Sequence, residues 1–145
     1  MEWTRDSFTV TDDRARLDRD VIWRFLSSSY WATNIPRSIV DRSIDNSLCF
    51  GLLAGARQIG FARVVSDRAT FAYLGDVFVL PEYRGRGLAK WLIACVLSHP
   101  ELQGLRRWIL GTRDAHGLYQ KFGFTPLEDP TRAMELHKPN VYKGA

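Results

Sequence analysis

The stretch from Leu74 to Ala89 constrains the fold of this chain more than any other part of the sequence. An apolar run typical of a buried strand ends at Pro81 and leads through a loop containing Gly85 and Gly87. Beyond the loop, apolar residues recur at helical spacing: Leu88, Trp91, Leu92, Cys95 and Val96. A strand that turns into a helix, followed by an extended run at 107–111, predicts a β–α–β crossover. Because such crossovers join parallel strands, we expect two neighbouring parallel strands and a ligand site in the loop between strand and helix.

The remaining patterns predict a mixed α/β chain. Apolar runs predict strands over residues 7–11, 48–54, 58–66, 70–79, 107–111, 124–127 and 132–136. Helical spacing predicts helices over 18–29, 36–45, 87–99 and 114–122, the second beginning at Pro36 and the last ending at Gly123. Because the sequence has no linker, repeat or low-complexity segment, we expect a single domain over residues 1–145.

Charge and cysteine content narrow the class of protein. Lys and Arg number 20 and Asp and Glu number 16, and the net charge of +4 favours an anionic ligand. A nucleic-acid module, suggested by Arg106-Arg107-Trp108, is disfavoured because the arginines cluster at a glycine turn rather than along one face. Cys49 and Cys95 lie in apolar runs and are expected as buried thiols in a reducing compartment.

The sequence also predicts a soluble, cytoplasmic protein. No apolar run approaches the roughly 18 residues that a membrane helix needs. The first residues lack the apolar core of a signal peptide. We therefore expect neither export nor a membrane partner.

The loop before the predicted third helix is suited to bind a phosphate or pyrophosphate. Gly85 and Gly87 lack a Cβ atom, so the backbone can turn tightly and direct its N–H groups at a ligand. The helix N-terminus adds unpaired amides and a positive dipole end, and Arg84 and Arg86 add charged donors. A P-loop and a dinucleotide fingerprint do not fit, because the required Lys-Ser/Thr pair and third glycine are missing. An ordinary turn with surface arginines is the alternative.

Two motifs resemble the GNAT superfamily of N-acetyltransferases. Residues 84–89, Arg-Gly-Arg-Gly-Leu-Ala, match the family signature Q/R-x-x-G-x-G/A and lie between a strand and an amphipathic helix, as in the family. Residues 115–124, Ala-His-Gly-Leu-Tyr-Gln-Lys-Phe-Gly-Phe, resemble the family's A-x-x-L-Y-x-x-x-G-F segment. The resemblance covers about residues 47–136. It implies a mixed, mostly antiparallel central sheet with helices on both faces and a splayed pair of parallel strands.

The resemblance also implies an activity, the transfer of an acetyl group from acetyl-CoA to a primary amine by direct attack within a ternary complex. The acceptor would be a small-molecule or peptide amine, with no nucleic acid, membrane or metal involved. Cys95 lies on the packed face of its helix, away from any base, which argues against a covalent enzyme intermediate. The alternative function is a catalytically silent acyl-CoA-binding sensor or scaffold. A homodimer through the late strands would be unsurprising for the family.

Several cofactor contacts are implied by the resemblance. Backbone groups of Val77, Phe78 and Val79 would hold the pantetheine arm like an added strand. Backbone amides of the loop and helix start would hold the pyrophosphate: Arg84, Gly85, Arg86, Gly87, Leu88 and Ala89. Thr112 stands where the family often has an Asn that contacts the cofactor, and its hydroxyl could substitute as donor and acceptor.

Tyr119 matches the family tyrosine that protonates the departing thiolate. A phenol can do so because it holds its proton at neutral pH and can pass it to a sulfur anion within hydrogen-bond reach. Leu118 and Phe122, four residues apart, are expected to face the core and leave Tyr119 beside the cleft. Core packing of the Tyr119 ring is the alternative.

The predicted strand before the loop offers further catalytic groups. Gly75 permits a β-bulge that would aim a backbone amide at the thioester carbonyl. Asp76 is a lone charge between Leu74 and Phe78 on one strand face and is the candidate general base. A carboxylate that bonds a neighbour at the bulge is the alternative. Water or His116 could take the proton instead, although His116 fits an exposed surface position.

An aromatic acceptor pocket is expected where the connection of the first two helices approaches the strand after the crossover. The residues that would form it are Tyr30, Trp31 and Trp108. Their rings could hold a cationic amine by cation–π attraction. Ordinary core or dimer packing explains these aromatic residues equally well.

Overall fold

A six-stranded sheet forms the centre of the molecule in the computed structural model, which describes residues 1–144. Its strands lie in chain order: β1 (Glu2–Arg5), β2 (Phe8–Thr11), β3 (Leu48–Ala54), β4 (Arg57–Ser66), β5 (Phe71–Val79) and β6 (Arg107–Leu110). The helices are α1 (Arg19–Ser27), α2 (Arg37–Asp45), α3 (Leu88–Ser98) and α4 (His116–Gln120). All neighbouring strands are antiparallel except β5 and β6, which run parallel. The mixed α/β class and the parallel pair are confirmed.

Helices cover both faces of the sheet, as expected. On one face, α1 and α2 pack against Cys49, Phe61 and Phe78. On the other face, α3 and α4 pack against residues that include Phe50 and Leu74. Cys49 and Phe50 are neighbours in β3 but face opposite cores, because successive side chains alternate across a strand. Both cysteines are buried and free, and burial raises the pKa of Cys49 to about 12.

Local signals in the sequence account for the first helix. Asp18 caps α1 by accepting hydrogen bonds from the backbone N–H groups of Asp20 and Val21. Ile22 and Leu26, four residues apart, are buried against the sheet. Within residues 1–144, no helix has the length and apolar character needed to cross a membrane.

The ends of the chain differ from the sequence expectation. Strand β1 has no apolar alternation, because only Trp3 in it is even partly buried, so the sequence does not indicate it. The strands expected over 124–127 and 132–136 do not form, and no strand follows β6 within residues 1–144. Met134 and Leu136 are 98% and 88% exposed, so their alternating pattern has no sheet neighbour here.

Candidate active site

The parallel strands separate halfway along β5. Ladder pairs with β6 run only from Phe71 to Leu74, so the second half of β5 is bonded to β4 alone. The separation opens a cleft of about 720 Å³. Its walls come from β5, the loop before α3, the α1–α2 connection and α4, and include Val77, Phe78, Val79, Arg84, Gly85, Gly87, Leu88, Ala89, Tyr30, Trp31, Leu118 and Tyr119. The structure therefore brings most of the predicted site residues to one cavity.

A β-bulge lies where the strands separate. Between Gly75 and Phe78, β5 advances one residue further than its partner β4. Asp76 has a φ of 55°, in the left-handed region, so the bulge centres on Asp76 rather than on Gly75. The extra residue reverses the alternation of side chains. Leu74 and Phe78 consequently face opposite cores, and the sequence expectation that they share one face is wrong.

Asp76 is not an isolated charge. One carboxylate oxygen accepts a hydrogen bond from Nε of Arg63 at 2.7 Å, and the other accepts one from the indole N–H of Trp31 at 2.9 Å. The side chains of Arg63 and Asp76 are only 19% and 13% exposed, so water screens this ion pair weakly. A left-handed backbone costs a non-glycine residue roughly 1–2 kcal/mol, and these bonds offset that cost. The arrangement is that of a bonded carboxylate at a bulge, the alternative drawn from the sequence.

The loop before α3 leaves its backbone donors free. Gly85 and Gly87 have φ angles of 80° and 74°, which favour glycine. Within residues 1–144, the N–H groups of residues 85–90 make no hydrogen bond. Helix α3 begins at Leu88 without a side-chain cap. Its positive dipole end and first-turn amides therefore open on the cleft.

The side chains of the two arginines in this loop lie in different places. Arg84 lines the cleft, and its Nε donates a hydrogen bond to the carbonyl oxygen of Val79 at 3.0 Å. Arg86 is not part of the cleft lining, because its guanidinium lies 5.3 Å from the centre of the Tyr83 ring in a cation–π contact. Both arginine side chains were expected to donate to one anion, but only Arg84 lies at the cleft.

Tyr119 is the one buried residue of α4 and is 8% exposed. Its ring packs edge-on against Phe124, with 5.9 Å between the ring centres. Leu118 and Phe122, expected to take the core side, are only partly buried. Burial, and to a smaller extent the neighbouring Tyr30, raises the pKa of Tyr119 to about 12. The phenol therefore keeps its proton at neutral pH.

A second cavity of about 300 Å³ adjoins Tyr119 and follows β6. We call it the edge groove, and it is lined by residues 108–112, by His116, Tyr119 and Gln120 of α4, and by residues 124–127. Trp108 belongs to the edge groove, whereas Tyr30 and Trp31 line the cleft. The expected acceptor wall is therefore divided between two cavities.

The side chain of Thr112 stabilises the turn before α4. Its hydroxyl accepts a hydrogen bond from the backbone N–H of Ala115 at 3.0 Å, which closes the turn that leads into the helix. This turn replaces the first residues of the helix expected over 114–122. Thr112 also lines the edge groove rather than the cleft, as does His116, which is exposed. Neither side chain stands in the wall of the cleft.

Sequence reasoning missed two aromatic contacts at the cleft. Phe25 of α1 stacks on Phe78, with 4.0 Å between the ring centres. Arg113 places its guanidinium 3.8 Å from the centre of the Tyr30 ring, and its backbone N–H donates to the Tyr30 hydroxyl at 3.2 Å. These contacts join α1 to β5, and the α1–α2 connection to the segment before α4. Arg113 and Tyr30 are 83 positions apart, so no local pattern indicates their contact.

Comparisons with known proteins agree with this architecture. The model of the acetyltransferase (GNAT) family matches residues 2–124. A Gibberella zeae protein provisionally named as an acetyltransferase is 33% identical over 144 residues, covering 83% of this chain and 80% of that protein.

Solved structures give the same result. A GNAT-family protein from Xanthomonas campestris pv. campestris is 55% identical, with a TM-score of 0.92, and the match covers 94% of this chain and 96% of the other. A structure from Clostridium acetobutylicum that contains acetyl-CoA shares the fold at 16% identity and a TM-score of 0.68, over 90% of this chain and 94% of the other. The sequence motifs, the splayed parallel strands and these matches lead to one conclusion: the chain belongs to the GNAT family of acetyltransferases.

Proposed function

We propose that this chain transfers the acetyl group of acetyl-CoA to a primary amine by direct attack within a ternary complex. One observation carries the proposal. Three features border the same cleft: the residues with free amides (Gly85 and 87–90), the open backbone edge of β5, and Tyr119. The cleft can therefore bind an anion and an extended arm that contains amides. Tyr119, in the same cleft, can donate a proton to a leaving group.

The residues present fit acetyl-CoA. Its pyrophosphate matches the free amides of residues 85–89, where the helix dipole favours negative charge. The Arg84 amide, which was also expected to bind it, donates instead to the carbonyl oxygen of Pro81 at 3.2 Å. Backbone groups of Val77, Phe78 and Val79 have no partner strand on the cleft side and would pair with the pantetheine amides. Arg84 adds a positive charge to this wall. When bound, acetyl-CoA supplies the activated acetyl group and a thiolate leaving group.

Tyr119 would act as the general acid. Its raised pKa keeps the proton on the phenol at neutral pH, so the O–H group can donate to the sulfur atom as negative charge develops on the departing thiolate. The bulge at Asp76 leaves backbone near the reacting end of the cleft without ladder partners on one side. An N–H group there would stabilise negative charge that develops on the thioester oxygen.

Asp76 is the proposed acceptor of the amine's proton. Its carboxylate contacts Trp31, which lines the cleft, but Asp76 is not itself part of the lining. A water molecule would therefore carry the proton to the carboxylate. Tyr30 and Trp31 would contact the acceptor amine, whereas Trp108 lies in the edge groove.

A panel of primary amines, assayed by thiol release from acetyl-CoA, tests the proposed activity. Tyr119→Phe should lower kcat by about 10²–10⁴-fold with the affinity for CoA unchanged. Tyr73→Phe, a matched change outside the cleft, should leave both values unchanged. Binding of acetyl-CoA without turnover of any amine in the panel would instead support the silent acyl-CoA-binding alternative. Equal turnover by wild type and Tyr119→Phe would remove the phenol from the mechanism.

Asp76→Asn tests the proposed base. Asn tolerates the left-handed backbone and can still accept from Trp31, so the bulge should persist. A loss of kcat together with loss of the acidic limb of its pH profile would support proton transfer to Asp76. An unchanged pH profile would limit Asp76 to a structural role.

A further inference from the structure

Arg63 of β4 lies opposite the bulge in β5. The strand register pairs Arg63 with Gly75, and the extra residue of the bulge, Asp76, follows directly. On its other side, Arg63 pairs with Cys49 of β3, which faces the core covered by α1 and α2. Directly paired residues of neighbouring strands project their side chains from the same face of a sheet. The Arg63 side chain therefore leaves the sheet on the face of α1 and α2, beside the bulge.

The guanidinium of Arg63 holds one oxygen of the Asp76 carboxylate. Its Nε donates to Oδ2 at 2.7 Å, whereas the indole N–H of Trp31 donates to Oδ1 at 2.9 Å. Because a guanidinium is planar and its donors are fixed, a short charged bond of this kind sets the direction of the carboxylate. The oxygen that Arg63 does not bond is therefore the one beside Trp31, a residue of the cleft wall.

A second bond holds the guanidinium itself. Nη1 of Arg63 donates to the hydroxyl oxygen of Ser47 at 3.1 Å, and Ser47, just before β3, is only 6% exposed. The carbonyl oxygen of Ser47 accepts from Nη2 of Arg14 at 3.1 Å, which fixes this residue in turn. Two donors of one rigid group are thus bonded to two parts of the fold. The guanidinium cannot turn without losing one of these bonds.

Arg63 supplies the counter-charge of Asp76. Within residues 1–144, the only salt bridge of this carboxylate is with Arg63. Arg14 and Arg19, which like Arg63 lie near Cys49, donate to other groups. Burial raises the pKa of Cys49 to about 12, so this thiol is uncharged at neutral pH. Loss of Arg63 would leave a mostly buried carboxylate without a counter-charge, which favours its rotation toward water.

From these contacts we propose that Arg63 is a positioning residue, which holds the Asp76 carboxylate with one oxygen toward the cleft. The inference rests on the proposed function, in which this carboxylate takes the proton of the amine. The amine gives a proton to a water molecule, and the water gives one to Oδ1. Arg63 keeps its own protons throughout, because a guanidinium stays charged at neutral pH. Arg63 does not line the cleft, so its effect on turnover passes through Asp76.

Turnover in a double-mutant cycle tests this dependence. Arg63→Gln removes the counter-charge and should lower kcat by about 10–100-fold, with the KM for acetyl-CoA unchanged. The double variant Arg63→Gln with Asp76→Asn should be no slower than Asp76→Asn alone, because the two residues act as one unit. Losses that multiply would show that Arg63 acts without Asp76 and would overturn the proposal. Arg68→Gln, which breaks an exposed ion pair with Glu101, is the matched control and should leave kcat unchanged.

Arg63→Lys keeps a positive charge on a side chain of different shape. An ammonium can still pair with the carboxylate but cannot reproduce both bonds of the guanidinium, so kcat should recover in part. The smaller loss should also disappear when Asp76→Asn is present. Circular dichroism verifies that each variant is folded, and Arg63→Lys carries the test if Arg63→Gln does not fold. A loss that persists beside Asp76→Asn would again overturn the proposal.

The indole N–H of Trp31 gives a readout that needs no activity. Its NMR signal is identified by its absence in Trp31→Phe. Release of the carboxylate in Arg63→Gln should shift this signal and speed its exchange with water, whereas Arg68→Gln should change neither. An unchanged Trp31 signal in Arg63→Gln would overturn the proposal. A changed signal in a protein that acetylates no amine would support the positioning of the carboxylate by Arg63 and would reject the proposed function instead.

Discussion

Two strand-to-helix connections lie side by side at the carboxyl ends of the parallel strands. They differ in whether their backbone N–H groups are hydrogen-bonded. Between β5 and α3, Gly85 and Gly87 adopt left-handed conformations and the helix begins without a side-chain cap. Between β6 and α4, the hydroxyl of Thr112 accepts the hydrogen bond of the Ala115 N–H. In the first connection, the N–H groups of residues 85–87 make no hydrogen bond within residues 1–144. In the second, the Ala115 N–H is bonded to Thr112 and the Arg113 N–H to the Tyr30 hydroxyl.

This difference shows that topology alone does not make an anion site. Both connections follow parallel strands, where ligands of open α/β sheets usually bind. The first has two left-handed glycines beside N–H groups that make no hydrogen bond, whereas the glycine of the second, Gly111, does not adopt a positive φ. The helix that follows the second connection, α4, contributes the Tyr119 side chain to the same cleft. In the proposed function, the first connection binds the cofactor and the helix after the second supplies the proton.

Replacing a glycine in the first connection should have the largest effect. Gly87→Val places a β-branched residue at a φ of 74° beside the free amides, and we expect the affinity for CoA to fall about 100-fold, near 2.7 kcal/mol. Gly117→Val in α4 is the matched control, because Gly117 has ordinary φ and lines neither cavity. Calorimetric titration with CoA measures both. Equal losses in the two variants would remove the distinction between the connections.

The arginines of the first connection sharpen the comparison further. Arg84→Ala should weaken CoA binding about tenfold, near 1.4 kcal/mol, because Arg84 lines the cleft. Arg86→Ala should change the affinity less than about twofold, since its guanidinium contacts the Tyr83 ring instead. The same titration measures both variants. A larger loss for Arg86→Ala would mean that its side chain turns toward the ligand when CoA binds.

Removing the Thr112 hydroxyl from the second connection should affect stability and not binding. Thr112→Ala should lower the free energy of unfolding by about 1 kcal/mol, because the Ala115 N–H loses its acceptor. Thr112→Ser retains the hydroxyl and is the control. Urea denaturation and CoA titration provide the two measurements. A loss of CoA affinity at unchanged stability would favour the cofactor contact expected from the sequence.

The smallest effect concerns the pH dependence of Tyr119. A phenol of ordinary pKa near 10 would be half ionised at pH 10, and an acid role would then lose about half of kcat. With the pKa raised to about 12, kcat should be nearly constant from pH 8 to 10. The raised pKa also stabilises the folded state below pH 10, and that contribution declines as the pH rises toward 12. A twofold fall of kcat at pH 10 that disappears in Tyr119→Phe would contradict the raised pKa.

Features that depend on neighbours in the sequence could be predicted. The extent of β3 to β6 follows from apolar runs that end at turn residues, and the ladders agree with these predictions to within one residue. The left-handed glycines at 85 and 87 follow from their position before an amphipathic helix. The parallel pair follows from the length of the crossover between β5 and β6.

Features that depend on residues far apart in the sequence could not be predicted. In the sequence, Asp76 is a single charge between apolar residues. In the folded chain, Arg63 and Trp31 donate hydrogen bonds to its carboxylate. The position of Arg86 in the glycine loop indicates a donor to an anion. In the folded chain, its guanidinium contacts the Tyr83 ring instead. The alternation over 132–136 is typical of a strand, but a strand also needs a neighbouring edge, and no local pattern reports one.

The sequence by itself determined the order of the elements from β2 to α4, the crossover and the glycine loop, because periodicity and backbone freedom are properties of adjacent residues. Tertiary structure decided which side chains share a cavity: Trp31 beside the cleft, Trp108 in the edge groove, and Tyr119 between them. Those placements depend on where β5 and β6 separate and on one extra residue at Asp76. A single bulge shifts every later side chain of its strand to the opposite face, and its position depends on contacts with the rest of the folded chain.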